Sequence, residues 1–155
     1  MIGFYQVTEA LREELRSAGF KTVTLGDVDS IDVNRQSIYP LAHIVPDSVT
    51  GDKTNVFSFA IIGTELVDLN KEDINDEDLP FYGIDNTQDV LHDIFHKLQS
   101  AMEPFRRGDK FTSTQQITSS ITYTYFTRRF ENVLSGWTAT ISIEVPKSVP
   151  KSSTC

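Results

Sequence analysis

The chain has 155 residues, with 14 basic and 22 acidic side chains and a formal net charge of −8. That length suits one domain and lets it bury roughly 70% of its unfolded surface, so neither disulfides nor a structural metal is required. The acidic balance argues against a dedicated nucleic-acid binder and against anionic membrane surfaces, and the 39% hydrophobic content excludes a disordered chain.

Residues 4–18 read as a helix. Phe4, Val7, Leu11, Leu15 and Ala18 recur at spacings of three and four, opposite Glu9, Arg12, Glu13 and Arg16. Gly19 is placed to end it in a left-handed conformation. The β-favouring run Phe20 to Leu25 reads as a short strand. Residues 26–40 are rich in turn formers and yield no assignment. The clearest hairpin follows: a strand from Leu41 to Val45 ending at Pro46, a polar loop over 47–55, and a long strand from Val56 to Asp68, with Gly63 marking a bulge.

Six of the eleven residues from Asp68 to Asp78 are acidic, which predicts a solvated loop. Residues 79–86 are more apolar and suit packing back on the body. A second helix is expected over 87–103. Val90, Leu91, Ile94, Phe95, Leu98 and Met102 form its stripe, Asn86 its N-cap, and Pro104 its end or a kink. Residues 115–130 and 137–145 read as strands. In the second, Trp137, Ala139, Ile141, Ile143 and Val145 alternate with Thr138, Thr140, Ser142 and Glu144. The expected fold is therefore α+β: a mainly antiparallel sheet of four to five strands packed against two amphipathic helices. One domain is expected over residues 1–146, with a flexible tail at 147–155.

Chemistry is sparse. Cys155, the single cysteine, is the last residue, which excludes an intrachain disulfide and a thiolate cluster. No apolar run is long enough to span a membrane, and Met1-Ile2-Gly3-Phe4 lacks the start of a signal peptide, so a reducing cytoplasm is expected. His92 and His96, four apart, share one helix face within reach of one ion. Both point away from the apolar stripe and no third ligand accompanies them, so exposed or interfacial histidines are expected. His43, alone in a strand, reads as structural or interfacial. Asp68, Asn70 and Glu72 alternate like the start of a calcium loop, but Asp73 and Leu79 occupy the positions that need Gly and Glu. No phosphate loop, nucleophile elbow or paired-cysteine motif is present. No enzyme activity, cofactor or metal is expected.

Arg128 and Arg129 interrupt an otherwise neutral strand. They read either as strand-end charges that discourage aggregation or as anchors for an acidic loop of a neighbouring subunit. Trp137 falls in the alternating run, which favours core packing.

Over residues 4 to about 146, the order of elements resembles the lambda-type tail terminator (tail completion) proteins of long-tailed bacteriophages. The similarity rests on the opening helix around Val7-Thr8-Glu9-Ala10-Leu11, the strand beginning Pro40-Leu41-Ala42, the long strand from Val56 to Val67, and the helix from Val90 to Met102 ending in proline. It is closest at Tyr125-Phe126-Thr127-Arg128-Arg129, a short turn, then Gly136-Trp137 leading into the last strand. The acidic segment 68–85 and the tail 147–155 look like additions to that pattern.

The resemblance implies a structural protein of the virion tail or neck, assembled in the host cytoplasm. It would cap the completed tail tube as a hexameric ring and offer a surface to the head connector. Its implied partners are further copies of itself, the tail tube protein and the head–tail connector protein. Genomic DNA would pass through the lumen without specific binding, and no membrane is involved. The expected contact surfaces are loop 47–55, loop 68–85 and the tail. Their charged candidates are Asp47, Asp52, Lys53, Asp68, Glu72, Asp73, Asp76, Glu77 and Asp78, together with Arg128 and Arg129. The alternatives are another neck or tail tube component, or a small cytosolic ligand-binding or enzymatic α+β domain with a pocket between sheet and second helix.

Overall fold

The structure, a computed structural model, describes residues 3–27, 39–51, 53–66, 87–110, 116–129 and 134–146, without the side chains of Arg128 and Arg129. The element order is α1 (Phe4–Ser17), β1 (Thr22–Leu25), β2 (Leu41–Gly51), β3 (Thr54–Leu66), α2 (Thr87–Arg107), β4 (Thr122–Arg129) and β5 (Leu134–Pro146). The strands form one sheet in the order β1-β2-β3-β5-β4, and both helices belong to one core with it. β1 runs parallel to β2 and the other pairs are antiparallel. The α+β class and two-helix layer are as expected, with a mixed sheet of five strands.

α1 begins where the Gln6 side-chain carbonyl accepts the Gly3 N–H at 3.0 Å. It ends in a Schellman turn: Gly19 has φ +118°, its N–H bonds Arg16 O at 3.1 Å, and Phe20 N–H bonds Leu15 O at 3.2 Å. Leu15 and Phe20 are both in the core, the apolar contact that usually accompanies this turn. Phe20 thus belongs to the helix end, and β1 starts two residues later than expected.

The helix-facing core joins Val7, Leu11 and Leu15 of α1 to Ile94, Leu98 and Phe105 of α2 and to the inward residues of β3 and β5. Burying each such side chain contributes about 1.5–3 kcal/mol relative to leaving it exposed. A smaller cluster of Tyr39, Leu41, Ile62 and Leu134 forms on the opposite face of the sheet. The rest of that face is rich in hydroxyls. Ser58 and Ser142 stand 3.3 Å apart, Thr140 pairs with Thr122, and Thr138 pairs with Thr124.

Several expected boundaries are corrected. β2 does not end at Pro46, and 47–55 is not a free loop: the strand continues to Gly51. The register shifts between Pro46 and Ser48, so Asp47 is the extra residue of a bulge. A bulge accommodates a proline that has no N–H to give to the ladder. Gly63, expected to mark a bulge, lies in unbroken register with both neighbours. It is small for packing: an added Cβ there would stand 2.9 Å from Ile94 and 3.0 Å from Phe20.

α2 runs past Pro104 to Arg107, because tertiary partners hold its last turn. Asp109 N–H bonds Pro104 O, while Gln116 and Ile117 N–H both bond Phe105 O. The strand expected over 115–130 is confined to β4, since Gln116 and Ile117 serve as this cap. The last strand starts at Leu134, three residues before Trp137. Tyr39–Pro40 is a cis peptide bond. The readings made for most of 26–40, for 67–86 including the Asn86 cap, and for the tail lie outside the described residues.

Candidate interaction surfaces

His43 has no solvent exposure. Its Nε2 faces the carbonyl oxygens of Gly26 at 3.0 Å and Asp27 at 2.8 Å, so it donates. Nδ1 is then left to accept from the Thr24 hydroxyl at 2.6 Å. Its work is structural, one of the two roles expected of it: it ties β1 and the residues after it to β2. His92 and His96 are exposed on α2. Among the described residues, no group of three or more His, Cys, Asp or Glu side chains is placed to hold a metal ion. Nor is any described helix long and apolar enough to cross a membrane.

Exposed apolar groups gather instead in two places. The first is the end of the sheet where β2 and β3 turn. β1 pairs with β2 only as far as Ile44, so β2 from Val45 to Gly51 has no outer partner among the described residues. Val49 there is 55% exposed, on the helix side opposite Phe57. The Phe4 ring lies 6.4 Å from Phe57 and 6.2 Å from Phe59, and Tyr5 beside it is exposed. Asp47 and Lys53 are exposed at the same end, and Asp52 lies outside the described residues.

The second place is the β4 edge. Phe95 of α2 meets Tyr123 edge-on at 4.9 Å and Trp137 at 5.3 Å, and Trp137 meets Tyr125 edge-on at 5.8 Å. The Trp137 indole N–H donates to Leu91 O at 2.7 Å. Trp137 is therefore half-buried and fixed, as its place in the alternating run suggested, while Tyr125 is 62% exposed. Burial pushes the Tyr123 phenol up from its ordinary value; Arg106 opposes that shift and Glu103 adds to it.

Arg128 and Arg129 fall where β4 bulges again, between Phe126 and Arg129. Arg129 pairs with Leu134, which pairs on its other side with Leu66. The double arginine and Leu66 thus share one end of the sheet, one strand apart. Asp68, Glu72, Asp73, Asp76, Glu77 and Asp78 lie outside the described residues.

The charged candidates were visible because charge is written in the sequence. Phe4, Tyr5, Val49 and Tyr125 were missed as surface groups. The Thr–Tyr alternation of residues 122–125 carried the signal for Tyr125: on an edge strand, one aromatic row has a neighbour on one side only. Compared with known proteins, the chain matches no family model and no curated protein sequence.

Proposed function

We propose that the protein is a phage tail terminator: a structural assembly protein that closes into a ring on the end of a finished tail tube and presents the surface to which the head connector joins. The observation that carries this reading is the end of the sheet beyond β1. There a long hairpin runs on without an outer partner among the described residues. It carries Val49, whose partner Phe57 lies 6.4 Å from the Phe4 ring, next to Tyr5: exposed apolar and aromatic side chains at one end of the sheet, of the kind that dock proteins. The order of elements and the Tyr125-to-Trp137 pattern support the same reading by resemblance. The acidic balance suits a DNA channel, because like charge keeps phosphates from sticking to the wall.

A terminator must bind the last tube ring without offering a copy of that ring's growing face. Contacts between unlike surfaces close into a ring when the rotation closes and otherwise run on as filaments. The test is particle mass against concentration by light scattering, with electron micrographs of the same samples, alone and with purified tail tubes of a long-tailed phage. Closed rings, or caps on tube ends that stop elongation, are expected. Self-polymerisation into long tubes would make it a tube protein, and a monomer that leaves tube ends growing would end the terminator reading.

A further inference from the structure

The two edges of the sheet, β1 and β4, lie at opposite ends of the strand order, and neither has an outer strand among the described residues. Unpaired edges of this kind are surfaces that other strands add to. They also differ in shape. The β4 edge projects Tyr125 on the helix side of the sheet, backed by Trp137, which is itself held by the Leu91 carbonyl. The β1 edge, on the same side, is hollow. A half-open cleft of about 120 Å³ lies between α1 and β1, lined by Val23, Thr24, Leu25 and Ile44 on the sheet side and by Thr8, Glu9 and Arg12 of α1. That volume is close to that of an apolar cavity of about 150 Å³ that takes up a benzene ring, the scale of one aromatic side chain.

The cleft suits a phenol. Val23, Leu25 and Ile44 give it an apolar part, and Leu25 is 48% exposed. Its rim is the Glu9–Arg12 ion pair at 2.9 Å, which offers a carboxylate to accept from a hydroxyl and a guanidinium to donate to one. A knob on one edge and a matching hollow on the other, both on one side of one sheet, are complementary only between successive copies.

We propose that a second copy of this chain occupies the β1-edge cleft, laying its Tyr125 over Leu25 with the phenol beside the Glu9–Arg12 pair, so that copies join edge to edge, β4 to β1. The contact joins unlike surfaces and repeats in one direction. Each added copy inherits the right-handed twist of the sheet, so the array curves. The inference deepens the ring reading, on which it rests for closure alone, by naming the surfaces that join.

The test uses single and double cysteine variants in a Cys155→Ser background, so that no native thiol interferes. Leu25→Cys and Tyr125→Cys replace exposed side chains, and their unfolding midpoints should match the parent. After oxidation, a mixture of the two single variants should give dimers holding one of each. The double variant should give a ladder of multimers. Tyr125→Asp should weaken self-association about thirtyfold by light scattering, the loss of one anchoring aromatic.

Dimers from Tyr125→Cys alone, as abundant as in the mixture, would show a symmetric β4–β4 contact and overturn the proposal. So would a Tyr125→Asp variant that self-associates as tightly as the parent. Mixed dimers without tube capping would leave this contact standing and remove the terminator reading. Tube capping together with a Tyr125→Asp variant that self-associates as tightly as the parent would do the reverse.

Discussion

A Cβ placed on Gly136 would stand 1.9 Å from the carbonyl oxygen of Gly63 and 2.9 Å from its carbonyl carbon. Those atoms are backbone, in the best-paired part of the sheet, where Gly63 faces Trp137 and Gly136 faces Thr64. No rotamer relieves the clash, so Gly136→Ala must separate β3 from β5. We expect it to cost at least about 3 kcal/mol in urea denaturation. Gly63→Ala meets only side-chain atoms of Ile94, Phe20 and Leu98, which can give, and should cost about 1–3 kcal/mol. A Gly136→Ala variant as stable as the parent would mean that the two strands do not meet in this register.

Glu65 is a second residue whose surroundings set a measurable property. Burial raises its pKa above the ordinary carboxylate value of 4.5, while the Leu66 N–H, at 3.0 Å, and the Lys97 charge only partly oppose it. A carboxyl with a raised native pKa binds its proton more tightly folded than unfolded. Its contribution to stability is therefore full below the ordinary pKa and is lost as pH rises through the raised one. Glu65→Gln keeps an acceptor for Leu66 and cannot ionise. Its stability relative to the parent should therefore increase from acid to neutral pH and level off above that range. A difference that stays flat over the same titration would show that the carboxylate is well solvated.

At the scale of elements, the β2 bulge gives a prediction of its own. Pro46 pairs with Phe59 and Ser48 with Ser58, so Asp47 is surplus to the ladder. Deleting Asp47 leaves every other pair in place and keeps Val49 on its side of the sheet. Bulges add local twist and bend. The deletion should therefore keep the thermal midpoint within a few degrees, as for other exposed changes, yet redirect the hairpin and weaken tube capping. A large fall in the midpoint would show that the bulge relieves strain that the proline alone creates.

The same elements show what was legible beforehand. Both helices followed from apolar residues at spacings of three and four, and β5 from strict alternation, because a half-buried element writes its own period. The two prolines misled for one reason. Local chemistry sets a cost at Pro46 and at Pro104, but β2 carries on past the first by a bulge against β3 and the Gln116–Ile117 cap accompanies the second, and both depend on pairing with another segment. The parallel pairing of β1 with β2 was not legible either, since it depends on residues far apart in sequence. The candidate surfaces were half legible for the same cause. Asp47 and Lys53 were found by charge, whereas the exposure of Tyr125 and Leu25 depends on which strands end at the sheet's edges.

At the scale of the whole molecule, Val49 and Tyr125 stand on separate parts of the sheet, and this separates two tasks. The cleft and the Tyr125 edge lie at the lateral ends of the sheet, whereas Val49 lies along its strands, beyond the reach of β1. Joining neighbours and seating on a tube therefore make independent demands. Val49→Asp and Tyr125→Asp both alter exposed side chains, at 55% and 62%, so each should change folding stability by no more than about 0.5 kcal/mol. Tyr125→Asp is expected to lose the ring. Val49→Asp is expected to keep the ring's mass by light scattering and to lose tube capping, because a charge buried against the tube end without a partner is strongly unfavourable. If Val49→Asp dissociates rings as readily as Tyr125→Asp does, one surface serves both contacts, and the hairpin belongs to the ring rather than to the tube.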